Sequence, residues 1–204
     1  VEDTAEDLVW KSINPDHIWV LDKLILSKKL GYNCGPTGVD VPQPGWYIVR
    51  PCINAMGMGL GAQRVFIEKE TMHLPLGYFW CEWFDGDHYS VDYLPEYGTK
   101  ILTVKGTKQS KEEFVKWDKW EKINHKKEHE IPKLLFPVIL DYSRINLEYI
   151  GNKLIEVHFR ENEDFQNGIS EFIPVWKGQK TVPPDGYKYI SYEDVGGRIG
   201  AFVK

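Results

Sequence analysis

Asn146, Glu148, Glu156, His158 and Arg160 fall within one stretch, NLEYIGNKLIEVHFREN (146–162), in which two short alternating runs flank a Gly-Asn pair. Successive side chains of a strand point to opposite faces. In the first run Ile145, Leu147 and Tyr149 therefore share one face, and Arg144, Asn146 and Glu148 the other. In the second, Ile155, Val157 and Phe159 oppose Glu156, His158 and Arg160. A two-residue Gly151-Asn152 turn would pair Tyr149 with Leu154 and Leu147 with Glu156, mixing apolar and polar residues on both faces. A three-residue loop sorts the faces, and burying each apolar side chain is worth about 1.5–3 kcal/mol, so the longer loop is expected. Carboxylates across or diagonal on adjacent strands lie about 4.5–8 Å apart, a spacing that suits a divalent cation. A half-exposed hairpin with its polar face in water gives the same pattern. Both readings stand at this point.

Two further stretches carry residue types that could do chemistry. RPCINAMGMGLGAQR (50–64) puts Gly57, Gly59 and Gly61 between the strand-like runs WYIVR (46–50) and RVFIE (64–68). No helix follows, which excludes a dinucleotide-binding turn. A glycine loop between two strands can close its backbone N–H groups over phosphates, or it can be a plain flexible loop. Arg50, at the strand end, could neutralise phosphate or simply be solvated. HKKEH (125–129) has the spacing of an inverted zinc-peptidase motif. Its flanks are charged all round and Pro132 cuts any helix short, so a solvated charged segment is expected.

These residues must be held by elements that the sequence also outlines. DTAEDLVWKSI (3–13) reads as a short helix, and DKLILSKKLG (22–31) as a second, capped near Asp22 and stopped at Gly31. YNCGPTGVDVPQPG (32–45) reads as a loop. YFWCEWF (78–84) and HYSVDYL (88–94) read as paired strands around Asp85-Gly86, and KILTVKG (100–106) as a further strand. Ser110 and Glu113 form a capping box for an amphipathic helix, with Phe114, Trp117 and Trp120 at helical spacing. Short strands near 187–192 and 198–203 end a Pro/Gly-rich tail. The class is α+β with mostly antiparallel strands.

Composition narrows the partners. The chain has 204 residues, 42% hydrophobic and 27% charged, enough for one large domain or two joined lobes. A net charge of −5, with Lys and Arg scattered, disfavours nucleic acid. Three cysteines without a CxxC pair argue against a disulfide framework or a cysteine zinc site and fit a reducing compartment. No apolar run reaches the roughly 20 residues of a membrane span. The acidic first residues do not resemble a signal peptide, so the expected location is cytoplasmic.

Taken in order, four of these segments resemble the ATP-grasp superfamily. DKLILSKKLGYNCGP resembles the family's Asp-Lys helix, and WYIVRPCINAMGMGLG its Lys-Pro strand followed by the phosphate flap. WCEWFDGDHYSVDYL resembles the hinge strand, and RINLEYIGNKLIEVHFREN the metal-binding hairpin that ends in Glu-x-Asn. The resemblance spans roughly residues 20–162. It implies an ATP-grasp-like single domain over 1–204. Residues of about 16–77 would form an N-terminal lobe with the flap, and about 78–204 a C-terminal lobe with the hairpin and tail. The nucleotide cleft would lie between two lobes of mostly antiparallel sheet.

The implied activity is ATP- and divalent-metal-dependent ligation of a carboxylate to an amine through an acyl phosphate. The implied cofactors are ATP and Mg²⁺ or Mn²⁺. Lys23, Arg50, Gly57, Gly59 and Gly61 would cradle phosphates, the segment Cys81, Glu82, Trp83, Phe84 would meet adenine, and His88 would stand at the ribose position. Glu148 and Glu156 would hold metal with Asn146 and His158 assisting, and Arg160, with Lys23, would serve the acyl-phosphate chemistry. Several positions depart from the family pattern. Arg50 replaces lysine, His88 an acidic residue, Asn146 the first metal carboxylate, and His158 the asparagine of Glu-x-Asn. An imidazole suits Mn²⁺ or Zn²⁺ better than Mg²⁺. The family's separate N-terminal domain has no counterpart here, which leaves selection of a small-molecule or peptide carboxylate to the tail or to a protein partner. The same departures also fit an inactive ATP-grasp-like domain that binds nucleotide or protein.

Overall fold

The computed structural model describes residues 5–53, 59–108, 110 and 114–204. Helix α1 covers Ala5–Ser12, and a 3₁₀ turn over Pro15–Val20, not expected from the sequence, follows Asn14, whose side chain accepts from the Asp16 N–H. Asp22 caps α2 (Lys23–Lys29) by accepting from Ile25 N at 3.0 Å, as its position before the apolar run requires. Gly31, at φ +80°, ends it.

The smaller sheet holds β1 (Cys34–Pro36), β2 (Gly45–Pro51), β3 (Gln63–Ile67) and β4 (Tyr78–Glu82) in the antiparallel order β1-β4-β2-β3. Strands β2, β3 and β4 lie where the alternation puts them. The stretch expected to be all loop contains β1. Proline is tolerated there because β1 is an edge strand. Gly35 fits because a Cβ would come within 2.8 Å of the Trp80 indole. Tyr47, Val49, Ile67 and Trp80 bury one face of this sheet, and Ile48, Arg50, Phe79 and Cys81 alternate onto the other.

The larger sheet is built from β5 (His88–Leu94), β6 (Thr99–Thr107), β7 (Lys119–Lys122), β8 (Ile145–Ile150), β9 (Lys153–His158), β10 (Glu171–Trp176), β11 (Lys188–Val195) and β12 (Arg198–Val203). Its antiparallel order is β11-β12-β10-β7-β6-β5-β8-β9. Val91, Tyr93, Ile145, Leu147, Tyr149, Leu154 and Val157 form its main core. Leu26 of α2 and Leu135 and Ile139 beside and within α3 (Phe136–Ile139) pack against them. The α2 helix thus packs Leu26 into the core of the larger sheet and also meets β1 and β4 of the smaller one, while the Lys23 N–H donates to Cys52 O just past β2 (2.7 Å). Two antiparallel sheets with few helices make the chain α+β.

Three sequence expectations fail for identifiable reasons. Strands β4 and β5 do not pair with one another. They belong to different sheets, and residues 83–87 carry the chain across. Asp85-Gly86 is therefore not a hairpin turn. Gly86 (φ +137°) lies against the β8–β9 turn, where a Cβ would stand 2.8 Å from the Gly151 backbone, and Gly151 N donates to Asp87 O.

The helix expected from Ser110 is not found in the described residues, and Glu113 lies outside them. Trp120 is in β7, and Trp117 and Trp120 meet at 4.6 Å over Gly106, where a Cβ would be 2.6 Å from Trp117. Their spacing of three serves a loop and a strand that converge on one glycine.

The HKKEH segment forms no helix, and it is less solvated than expected. His129 is fully buried, with Nε2 2.9 Å from Gly151 O and its ring stacked on Tyr149, while His125 pairs with Thr103. The two imidazoles face different partners and do not form a zinc pair.

Candidate functional site

The β8–β9 hairpin reaches the expected facial sorting by another route. Ile150 pairs with Lys153, so the turn is the two-residue Gly151-Asn152, with Gly151 (φ +58°) in the first central position that a type II′ turn reserves for glycine. The register then shifts: Tyr149 pairs with Leu154, but Glu148 pairs with Glu156 and Leu147 with Val157. One extra residue, Ile155, bulges out of β9. Leu154 takes the core position expected of Ile155, and the bulge moves every later residue to its proper face. The freed Ile155 carbonyl accepts from Arg50 Nη2 at 3.0 Å, tying β2 of the smaller sheet to the hairpin.

Asn146, Glu148, Glu156 and His158 consequently share a face, joined from β5 by His88, Ser90 and Asp92. Ligand atoms of Glu148, Glu156 and His158 all lie within 4.8 Å of one another. His158 Nε2 is 3.7 Å from Glu148 Oε1 and 3.6 Å from Glu156 Oε1, and His88 Nε2 is 3.0 Å from Glu148 Oε2. Lys23, only 5% exposed, places Nζ 3.8 Å from Glu156 Oε1.

Burial alone would raise the Glu148 pKa, but His158 and His88 hold it well below the usual carboxylate range. Burial lowers the Lys23 pKa, with Arg50 pushing the same way and Glu156 and Glu148 opposing. The Lys23 cation therefore stands among carboxylates in a partly dehydrated site.

One atom tests whether this arrangement suits a cation. Glu156 Oε1 is buried and has no hydrogen-bond partner, with Lys23 Nζ at 3.8 Å and His158 Nε2 at 3.6 Å, both beyond hydrogen-bonding range. Buried carboxylate oxygens are normally satisfied. Two carboxylates and an imidazole within ligand reach, one oxygen of them orphaned, fit a divalent ion of the Mg²⁺–Mn²⁺ class.

Asn146 is differently engaged. Its Nδ2 donates to Ser90 Oγ and to Asp92 Oδ1, both at 2.7 Å. Asp92 also accepts from the Asn162 N–H at 3.0 and 3.2 Å, and Asn162 Nδ2 donates to Ser90 Oγ. Burial pushes the Asp92 pKa up to about 6, against the pull of Asn146 and Asn162. Ser90 and Asp92 were missed in the sequence, although H-x-S-x-D in 88–92 has the same period-two pattern that exposed the hairpin face.

The remaining expected residues surround this cluster. Arg50 extends from β2 over the Phe79 ring (5.4 Å) toward β9. Gly59 and Gly61 turn at φ +70° and +80°, with Gly59 against the Phe114 backbone and Gly61 against Tyr78 Oη, while Gly57 lies outside the described residues. Of the crossing segment, Cys81 is buried opposite Cys34. Glu82 and Asn33 bond one another through Glu82 N to Asn33 O and Asn33 N to Glu82 Oε1. The Trp83 indole donates to Asp85, and Phe84 meets Tyr32 edge-on. His88 meets Trp117 and Trp120 edge-on and turns to Glu148. Arg160, just past β9, donates to Glu161 O at 3.1 Å.

No protein-family model matches the chain, and no curated protein matches its sequence. Solved structures do. A protein assigned to the ATP-grasp superfamily from Archaeoglobus fulgidus superposes with a TM-score of 0.53 at 13% identity over 92% of this chain. An L-amino acid ligase from Bacillus licheniformis superposes with a TM-score of 0.50 at 10% identity over 91%. The chain spans 64% and 66% of those two proteins, respectively. The chain has the ATP-grasp fold. Among its described residues no helix is long and apolar enough to cross a membrane.

Proposed function

We propose that the chain is an ATP- and divalent-metal-dependent ligase that activates a small-molecule or peptide carboxylate as an acyl phosphate for attack by an amine. The observation that carries this reading is the convergence of Lys23, Glu148, Glu156 and His158 around the buried, unbonded Glu156 Oε1, beside the Arg50 bond that ties β2 to β9. Phosphoryl transfer of this kind needs positioning and charge neutralisation more than a protein nucleophile. Glu148, Glu156 and His158 hold the metal, which when bound neutralises phosphate charge. Asn146, fixed to Asp92 and Ser90, positions the strand beside them. Lys23, Arg50 and the flap around Gly59 and Gly61 bind phosphate oxygens. Backbone groups of the Cys81–Phe84 segment meet the base, and Arg160 steadies the activated carboxylate. His88 orients Glu148 through its 3.0 Å contact.

A second reading, a nucleotide-binding domain without turnover, draws on what already stands near Glu156: the Lys23 ammonium and the His158 ring. Phosphate release from ATP, with Mg²⁺ or Mn²⁺ and pools of carboxylate and amine acceptors, separates the two. The ligase releases phosphate only with metal and acceptor, and Glu156→Gln abolishes it. Metal-dependent nucleotide binding with no release under any acceptor would establish the inert reading instead.

A further inference from the structure

The smaller sheet sets two of the three cysteines side by side. Cys34 on the edge strand β1 is the direct cross-strand partner of Cys81 on β4. The ladder fixes which kind of pair this is. Glu82 N donates to Asn33 O and Thr37 N to Tyr78 O, so the hydrogen-bonded pairs are Asn33/Glu82 and Thr37/Tyr78. Hydrogen-bonded and non-hydrogen-bonded pairs alternate along an antiparallel ladder, which makes Cys34/Cys81 a non-hydrogen-bonded pair. Cα atoms of such a pair are about 4.5 Å apart, inside the range of about 4.4–6.8 Å that a disulfide spans.

Both side chains lie on the face that carries Arg50 and Phe79, opposite the core formed by Trp80, Tyr47 and Val49. That face is the one tied through Arg50 to Ile155 of the larger sheet. Cys34 is half-buried and open to small reagents, whereas Cys81 is buried. Cys52 cannot compete for Cys81. Its N–H donates to Gly77 O, just before β4 and four residues from Cys81, roughly 13 Å away at about 3.3 Å per residue.

We propose that Cys34 and Cys81 form an oxidisable dithiol on this face of the smaller sheet, closed by peroxide to an intramolecular disulfide that staples β1 to β4. In the first step the Cys34 sulfur attacks one peroxide oxygen and the O–O bond breaks. Cys34 becomes a sulfenic acid, and the other oxygen leaves as water with the thiol proton. In the second step the Cys81 sulfur attacks the Cys34 sulfur, the S–S bond forms, the S–O bond breaks, and the hydroxyl leaves as water with the Cys81 proton. Two electrons pass from the sulfurs to hydrogen peroxide. The hydrogen bond from Cys81 lowers the Cys34 pKa, which favours Cys34 as the attacking sulfur, and raises that of Cys81. The pairing is independent of whether the cleft turns over nucleotide.

The test treats the full native chain with limiting hydrogen peroxide, titrates free thiols and maps the non-reduced digest by mass spectrometry. Titratable thiols fall from three to one, and the peptides holding Cys34 and Cys81 appear linked, lighter by two hydrogens. Cys52→Ser keeps the link and leaves no titratable thiol after oxidation. Reduction with a dithiol restores the original count. Persistence of all three thiols, a link through Cys52, or Cys34 oxidised to sulfinic acid without a link would each overturn the proposal.

Discussion

Asp92 on β5 and Glu156 on β9 are carboxylates on one sheet face, on either side of strand β8, and their surroundings differ in kind. Asp92 accepts from Asn146 Nδ2 and from the Asn162 N–H, and those donors are anchored in turn through Ser90. Glu156 Oε1, equally withdrawn from water, accepts nothing, with Lys23 and His158 at 3.8 and 3.6 Å. A saturated network stabilises the strands that carry it. An unsaturated one costs stability unless something else completes it. The first cluster thus accounts for how the hairpin is held, and the second is the one the proposed metal site rests on.

The pH dependence of stability should break the comparison most visibly. The folded pKa of Asp92 is raised by burial from 3.8 to about 6, so the folded chain holds this proton more tightly than the unfolded chain. The resulting stabilisation is complete below about pH 4 and is lost as pH rises through about 6, a change of about 3 kcal/mol. Subtracting denaturant-unfolding curves of Asp92→Asn from those of the native chain, pH by pH, isolates it: the native chain loses about that much more between pH 4 and 7. Glu148 works in the opposite sense. Its depressed pKa favours the fold above the unfolded value near 4.5, and that favour is lost as pH falls, so the native curve alone would blur the two.

Asn146→Ala sharpens the same contrast more modestly. It strips Asp92 and Ser90 of a shared donor and should cost about 1–3 kcal/mol in urea unfolding, the usual penalty for a buried polar group left unpaired. A smaller effect is expected at the helix that presents Lys23. Asp22→Ala removes the cap on Ile25 N and should lower stability by about 1 kcal/mol, seen as a drop of roughly 2–4 °C in Tm.

How much of this the sequence discloses depends on whether a feature is local. Asp22 and Gly31 bound α2 through chemistry within one turn, and the alternation of 46–50 and 64–68 suffices for β2 and β3. Facial sorting of the hairpin is legible too, because burying Leu147, Tyr149 and Val157 outweighs turn preference. The means of sorting is not: a bulge at Ile155 and a three-residue loop satisfy the same pattern, and the choice rests on Arg50 reaching the freed carbonyl from the other sheet. The two strands around Asp85-Gly86 look like a hairpin because both are apolar and a turn dipeptide divides them. Their membership of different sheets, with Gly86 against Gly151, shows instead that the chain crosses there. Trp117 and Trp120 mimic a helical stripe, and their real partner, Gly106, is one that neither periodicity nor propensity reveals. Within the site, Glu148, Glu156 and His158 were legible as a set, whereas the saturated role of Asn146 required Asp92 and Asn162 to be seen beside it.

The unsaturated cluster around Glu156 is the proposed metal–nucleotide site. Calorimetric titration of ATP into the native chain and into Glu156→Gln, each with and without Mg²⁺ or Mn²⁺, tests it directly, with circular dichroism to verify that the variant is folded. The account predicts metal-dependent binding by the native chain and its loss in the folded variant. Failure of the native chain to bind ATP with either metal, or equal metal-dependent binding by the variant, would contradict it.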